Sequence, residues 1–148
     1  PVNAVEALNA VFPEGLRAVE IYPLSDGGMP LRDIAWSKYR ITWTFPEGIP
    51  DGLPDAAREL FSREKIEILK RSKRGEKLVN MRELMQGGPA LAESGDAVVL
   101  TAVTAAGNNN LSPEYLTKAI RQYHPEFDLP CAAYHRMCVY NEKMQEFR

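Results

Sequence analysis

The chain has 148 residues, 45% of them hydrophobic and 26% charged, with a formal net charge of −2. These values fit one globular domain with a sizeable core and exclude a disordered or fibrous chain. No apolar run reaches the roughly 18 residues needed to cross a bilayer, and the slightly acidic total argues against a generic polyanion binder.

The N-terminus is mixed polar from Asn3 onward and carries no signal-peptide pattern. Cys131 and Cys138 are therefore expected as reduced thiols in a cytoplasmic protein. The chain starts at Pro1 without an initiator Met. We expect residues 1–148 to be a single α+β domain, a fragment of a longer chain.

Asn3-Ala-Val-Glu6 has the form of a capping box, and Val5, Leu8, Val11 and Phe12 follow at helical spacing. Residues 16–24 are predicted as a strand, 25–30 as a loop, and a short helix is expected through Leu31 and Ile34. The clearest strand is 37–45. Tyr39, Ile41, Trp43 and Phe45 alternate with Lys38, Arg40, Thr42 and Thr44, the pattern of an antiparallel sheet with one buried face. Trp36 falls outside this alternation and is expected to be an exposed ring. Residues 55–62 are predicted as a helix with Ala56, Leu60 and Phe61 inward.

Two strands, 66–71 and 77–81, are predicted as a hairpin closed by Ser72-Lys-Arg-Gly75, with Gly75 supplying a positive φ. Asn80 is expected to cap one helical turn, and Gly87-Gly-Pro89 to break it. Residues 97–104 form a further predicted strand. Ser112-Pro-Glu predicts a helix with Ser112 as N-cap and Leu116, Ala119, Ile120 and Tyr123 along its apolar stripe. Residues 134–141 close the chain as a strand. This order predicts an antiparallel sheet with helices packed on one face, of the ferredoxin-like or split-βαβ type.

Charge is segregated. Residues 63–82 hold eight basic and three acidic side chains, a net +5 that leaves −7 for the remainder. Within this window Lys70, Arg71, Lys73, Arg74 and Lys77 lie on the predicted hairpin and are the candidate nucleic-acid-binding residues, because cations at a hairpin tip can contact phosphates. Lysines on an edge hairpin also serve simply to block sheet-to-sheet aggregation. Lys38 and Arg40 would extend the basic surface if they lay on the same side.

Cys131-Ala-Ala-Tyr-His135-Arg-Met-Cys138 has the spacing C-x3-C-x2-C with His135 in the middle position. In a regular strand Tyr134, Arg136 and Cys138 share one face and His135 points away, so no metal ligand is assigned. No glycine-rich phosphate loop, G-x-S-x-G motif or histidine-centred triad is recognisable, and no catalytic residue is assigned.

Taken together, Ala7-Leu-Asn-Ala-Val-Phe-Pro-Glu-Gly-Leu-Arg17, Ala35-Trp-Ser-Lys-Tyr39 and Ile68-Leu-Lys-Arg-Ser-Lys-Arg-Gly-Glu-Lys-Leu-Val-Asn-Met-Arg82 resemble the radical-SAM-associated domain of unknown function. The closing segment 125–140, with His135-Arg136, fits the same pattern. Members occur fused behind a radical-SAM enzyme domain or as a small separate protein. Two features depart from the pattern: the usual upstream strands and helix are absent before Ala7, and Asn80 replaces an Asp. The resemblance implies a radical-SAM catalytic domain as partner, in cis or in trans. S-adenosylmethionine and a [4Fe–4S] cluster would belong to that partner, with no cofactor in this chain. Two functional expectations follow: an accessory domain that contacts RNA through the basic hairpin, or a structural domain that packs on the catalytic domain. No membrane partner is expected.

Overall fold

The protein is described by a computed structural model covering residues 3–23 and 28–147. Its elements are α1 (Ala4–Asn9), β1 (Trp36–Thr44), α2 (Leu53–Ser62), β2 (Glu67–Ser72), β3 (Gly75–Asn80), β4 (Ala90–Ser94), β5 (Ala97–Ala105), α3 (Glu114–Tyr123) and β6 (Ala132–Tyr140). Short 3-10 turns occupy Leu31–Asp33, Met81–Leu84 and Gly107–Asn109.

Four strands form an antiparallel sheet in the order β4-β5-β1-β6, and β2-β3 stand apart as a two-stranded sheet. With that hairpin set aside, the chain runs β-α-β-β-α-β. β1 and β4 are parallel with β5 between them, and β5 and β6 are parallel with β1 between them. This is the ferredoxin-like split-βαβ arrangement expected from the sequence. The hairpin is an insertion between α2 and β4.

The alternation in β1 does what its period dictates. Ser37, Ile41, Trp43 and the following Phe45 are buried on the face that α2 and α3 cover. β5 matches it with Val98, Leu100, Ala102 and Thr104. Leu53, Ala57, Leu60 and Phe61 of α2 and Leu116, Ala119 and Ile120 of α3 complete the core. Three elements of the two layers meet at one hydroxyl. Thr117 of α3 accepts hydrogen bonds from Trp43 Nε1 and from the Tyr134 hydroxyl of β6, each at 3.0 Å.

Several expectations need correction. Residues 16–23 form no strand; Leu24 lies outside the described residues, as does 25–27 of the expected loop. The backbone of Ala18 is instead tied to the Asn9 carboxamide, donating to Oδ1 at 2.7 Å and accepting from Nδ2 at 3.0 Å. Val19 is 88% exposed, so the segment's apolar residues give it no sheet face to bury. β4 was not predicted. Its sequence, Ala-Leu-Ala-Glu-Ser, consists largely of weak strand formers and lies on an edge, where pairing with β5 decides its conformation.

The helices differ in detail as well. α2 starts earlier than expected because Pro54 suits the first turn, which buries Ala57 and leaves Ala56 half-buried. Ser112 makes no side-chain cap on α3. Its carbonyl accepts from Tyr115 N–H at 3.0 Å, a tight first turn. The Asn3 cap on α1 and the Asn80 cap on the turn after β3 both form.

Thr117→Val keeps the volume and removes the shared acceptor. It should destabilise the protein by about 1–3 kcal/mol, because Trp43 Nε1 is left buried without a partner. Thr117→Ser should restore most of the loss. Thermal unfolding of the two variants checks this; equal melting temperatures would contradict it.

Candidate nucleic-acid interface

The hairpin is tighter than expected. Ser72 pairs with Gly75, so only Lys73 and Arg74 form the loop. Both keep a negative φ, and Gly75 alone takes φ +114°, a value that side-chain-bearing residues rarely adopt. The Ser72 hydroxyl fixes the tip. It accepts from Arg74 N–H at 3.2 Å and donates to the Gly75 carbonyl at 3.1 Å.

This register sorts the five candidate cations. Lys70 lies directly opposite Lys77, and Arg71 directly opposite Glu76. Directly opposed residues share a face, so Lys70 and Lys77 project together while Arg71 projects from the other side. Arg71 is bound to Glu76, Nη2 to Oε1 at 3.2 Å. Lys73, Arg74 and Lys77 are exposed and make no ion pair among the described residues. Lys70 is half-buried and reaches Asn109 Oδ1 at 3.5 Å. On the Arg71 face, Leu69 and Leu78 form a cross-strand apolar pair, 53% and 57% exposed.

The hairpin is held by α3. Arg71 N–H donates to the Tyr115 hydroxyl at 3.0 Å. The Tyr123 hydroxyl accepts from Glu67 N–H at 3.1 Å and donates to the Glu67 carbonyl at 2.9 Å; Gln122 Nε2 adds a bond to that carbonyl at 3.1 Å. Each tyrosine ring carries a cation. Arg63 lies 5.5 Å from the Tyr123 centroid and Lys118 lies 4.8 Å from that of Tyr115. Arg63 is oriented by a two-point bond to Glu59, at 3.0 and 2.9 Å, which holds the Glu59 carboxyl below its usual range.

The face of the hairpin bearing Lys70 and Lys77 opens on a hollow of about 510 Å³. Asn108 and Asn109 form part of its wall. They are presented by the turn after β5, which passes so close to the Ile34 carbonyl that a Cβ on Gly107 would stand 2.9 Å from it. Gly107 also has φ +78°, so two constraints favour glycine there. Lys38 and Arg40 do not join this surface. They occupy the helix-free face of β1, opposite the buried positions Ser37, Ile41 and Trp43.

A family model described as an uncharacterized protein conserved in bacteria, DUF2344, matches residues 1–113. The chain belongs to that family. No curated protein and no solved structure matches it. The span matched by DUF2344 includes the whole hairpin and Asn109; the helix that holds the hairpin follows it.

The Cys/His segment requires a correction. Between Lys38 and Tyr39 the β1–β6 register shifts, so that Lys38 opposes Cys138 while Arg40 opposes His135. A bulge of this kind adds one residue and reverses the alternation beyond it. His135 and Cys138 therefore share the helix-free face, contrary to the regular-strand expectation. They share it with Lys38 and Arg40, whose charge opposes a bound cation. Cys138 Sγ and the Tyr140 hydroxyl are hydrogen-bonded at 3.0 Å, and this interaction, with burial, pushes the Tyr140 phenol above its usual range. Among the described residues no three His, Cys, Asp or Glu side chains are grouped as metal ligands. Nor is any helix among them long and apolar enough to cross a membrane.

Asn109 and the Lys70–Lys77 pairing were missed from sequence. A four-residue turn at 72–75 and a two-residue loop at Lys73-Arg74 give the same register, so counting outward from either pairs the lysines. Like charges directly opposed on a ladder cost about 0.2–1 kcal/mol. Lys77→Gln should therefore raise the melting temperature by about 1–3 °C at low salt. The gain should shrink at 1 M salt, where charge repulsion is screened. A lower melting temperature would show that Lys77 is held by a favourable contact.

Proposed function

We propose that this domain is an accessory module of a radical-SAM enzyme and contacts RNA through the basic hairpin. The catalytic domain, carrying S-adenosylmethionine and a [4Fe–4S] cluster, would lie in cis or in trans. The carrying observation is the inserted hairpin itself. Lys73, Arg74 and Lys77 stand in solvent without ion-pair partners among the described residues, with Lys70 beside them. Such cations neutralise phosphates and release counterions. Arg71 contributes less, because a phosphate must compete with Glu76 for it.

The resemblance over residues 7–17, 35–39 and 68–82 supports the radical-SAM context, and the third of these stretches contains all five cations. A second reading rests on Leu69 and Leu78. An exposed apolar pair on a projecting hairpin suits a domain that packs on the catalytic domain and touches no RNA.

A salt titration of binding to a structured RNA separates the two. Four engaged cations give a slope of about −3 in log affinity against log salt. Lys73→Glu/Arg74→Glu should weaken binding at every salt concentration and reduce the slope by about 2. Undetectable binding at low salt would sink the RNA reading and leave the packing one.

A further inference from the structure

The hollow beneath Lys70 and Lys77 does not end at the hairpin. A second hollow of about 590 Å³ adjoins it, and Glu83, Leu84, Asn108 and Asn109 line both. The two form one trough across the end of the four-stranded sheet. Either volume is in the range of small-ligand sites. The ends of the trough differ in chemistry. One holds the opposed lysines and the Asn109 carboxamide. The other is lined by Trp36, the half-buried residue that opens β1 on its helix-free face, and by Arg32 and Glu142.

We infer that this trough binds one unpaired nucleotide of an RNA strand, with its phosphate between Lys70 and Lys77 and its base against Trp36. The inference rests on the RNA reading of the hairpin and specifies which part of the RNA it takes. Three observations carry it. The opposed lysines form no ion pair among the described residues, and an anion between them removes their repulsion. An aromatic ring at the far end offers a stacking platform that any base can use. Between them stand groups suited to a base edge or a ribose hydroxyl rather than to a phosphate. Asn108 and Asn109 can both donate and accept, and Glu83, whose Oε1 lies 3.4 Å from Asn80 Nδ2, accepts only. The Glu83 carboxylate repels a phosphate from the middle of the trough, and Arg32 at the far end is paired with Asp33 at 3.8 Å, so the lysine end is the better phosphate site.

A duplex cannot satisfy this geometry, because its bases are stacked and paired. The trough therefore selects single-stranded or flipped-out nucleotides, while Lys73 and Arg74 at the tip contact phosphates of either form.

The test uses the full chain and a single-stranded oligoadenylate octamer. The protein has two tryptophans, and Trp43 is fully buried. Fluorescence changes on binding therefore report Trp36. The octamer should quench the emission. Lys70→Gln/Lys77→Gln should weaken its binding about tenfold. Trp36→Leu should abolish the quench and weaken binding by about tenfold. If the octamer binds with unchanged emission, or binds equally well to the Lys70→Gln/Lys77→Gln protein while Lys73→Glu/Arg74→Glu weakens it, the trough is not the site and the hairpin reading survives. If neither the octamer nor a structured RNA binds at low salt, both fall.

Discussion

The hairpin depends on a contact between a helix and the backbone of a strand. A two-stranded hairpin is marginal on its own in water, and this one lies outside the four-stranded sheet. Tyr115 and Tyr123 of α3 give β2 the hydrogen-bonding edge that a third strand would supply. The spacing explains why it works. Eight residues of helix rise about 12 Å, and the four residues from Glu67 to Arg71 span about 13 Å of strand. The two hydroxyls therefore meet the two backbone positions without distortion. Ile66, Ile68 and Met81 anchor the base of the hairpin in the core, which leaves its tip, with Lys73 and Arg74, in solvent.

The ferredoxin-like frame positions the hairpin without specifying its use, since such a fold hosts many unrelated activities. Its distinctive features are local. An insertion follows α2 and carries a concentrated positive charge in a chain that is otherwise negative. Its register opposes two lysines, at some cost to stability. A glycine with φ +78° brings two carboxamides up to them. Each feature is mildly unfavourable or restrictive for folding alone, and together they surround a trough with a cationic and an aromatic end. This concentration of compromises, rather than the fold, motivates the nucleotide assignment.

The legible parts of the sequence were those governed by period and burial. β1 was visible because Tyr39, Ile41 and Trp43 alternate with polar residues, and α3 because Leu116, Ala119 and Ile120 recur at helical spacing. From these, the class of fold followed. Features set by pairing between distant segments were not legible. β4 is a strand because β5 lies beside it. Residues 16–23 have strand-like composition, but Asn9 binds their backbone first. The bulge in β6 that places His135 with Cys138 leaves no mark on local composition. The five cations lie on the expected hairpin, and their division into a tip pair, an opposed pair and an Arg71–Glu76 pair follows from a register centred on Lys73-Arg74. The trough needed the turn after β5, which is remote in sequence from the hairpin.

The central claim is that α3 holds the hairpin as a separable unit through its tyrosine hydroxyls. Native-state hydrogen exchange on the protein and on Tyr115→Phe/Tyr123→Phe tests it most directly. Protection at β2 and β3 amides should fall in the variant while amides of β1 and β5 keep theirs. Equal loss of protection across both sheets, or no loss in the hairpin, would contradict the account.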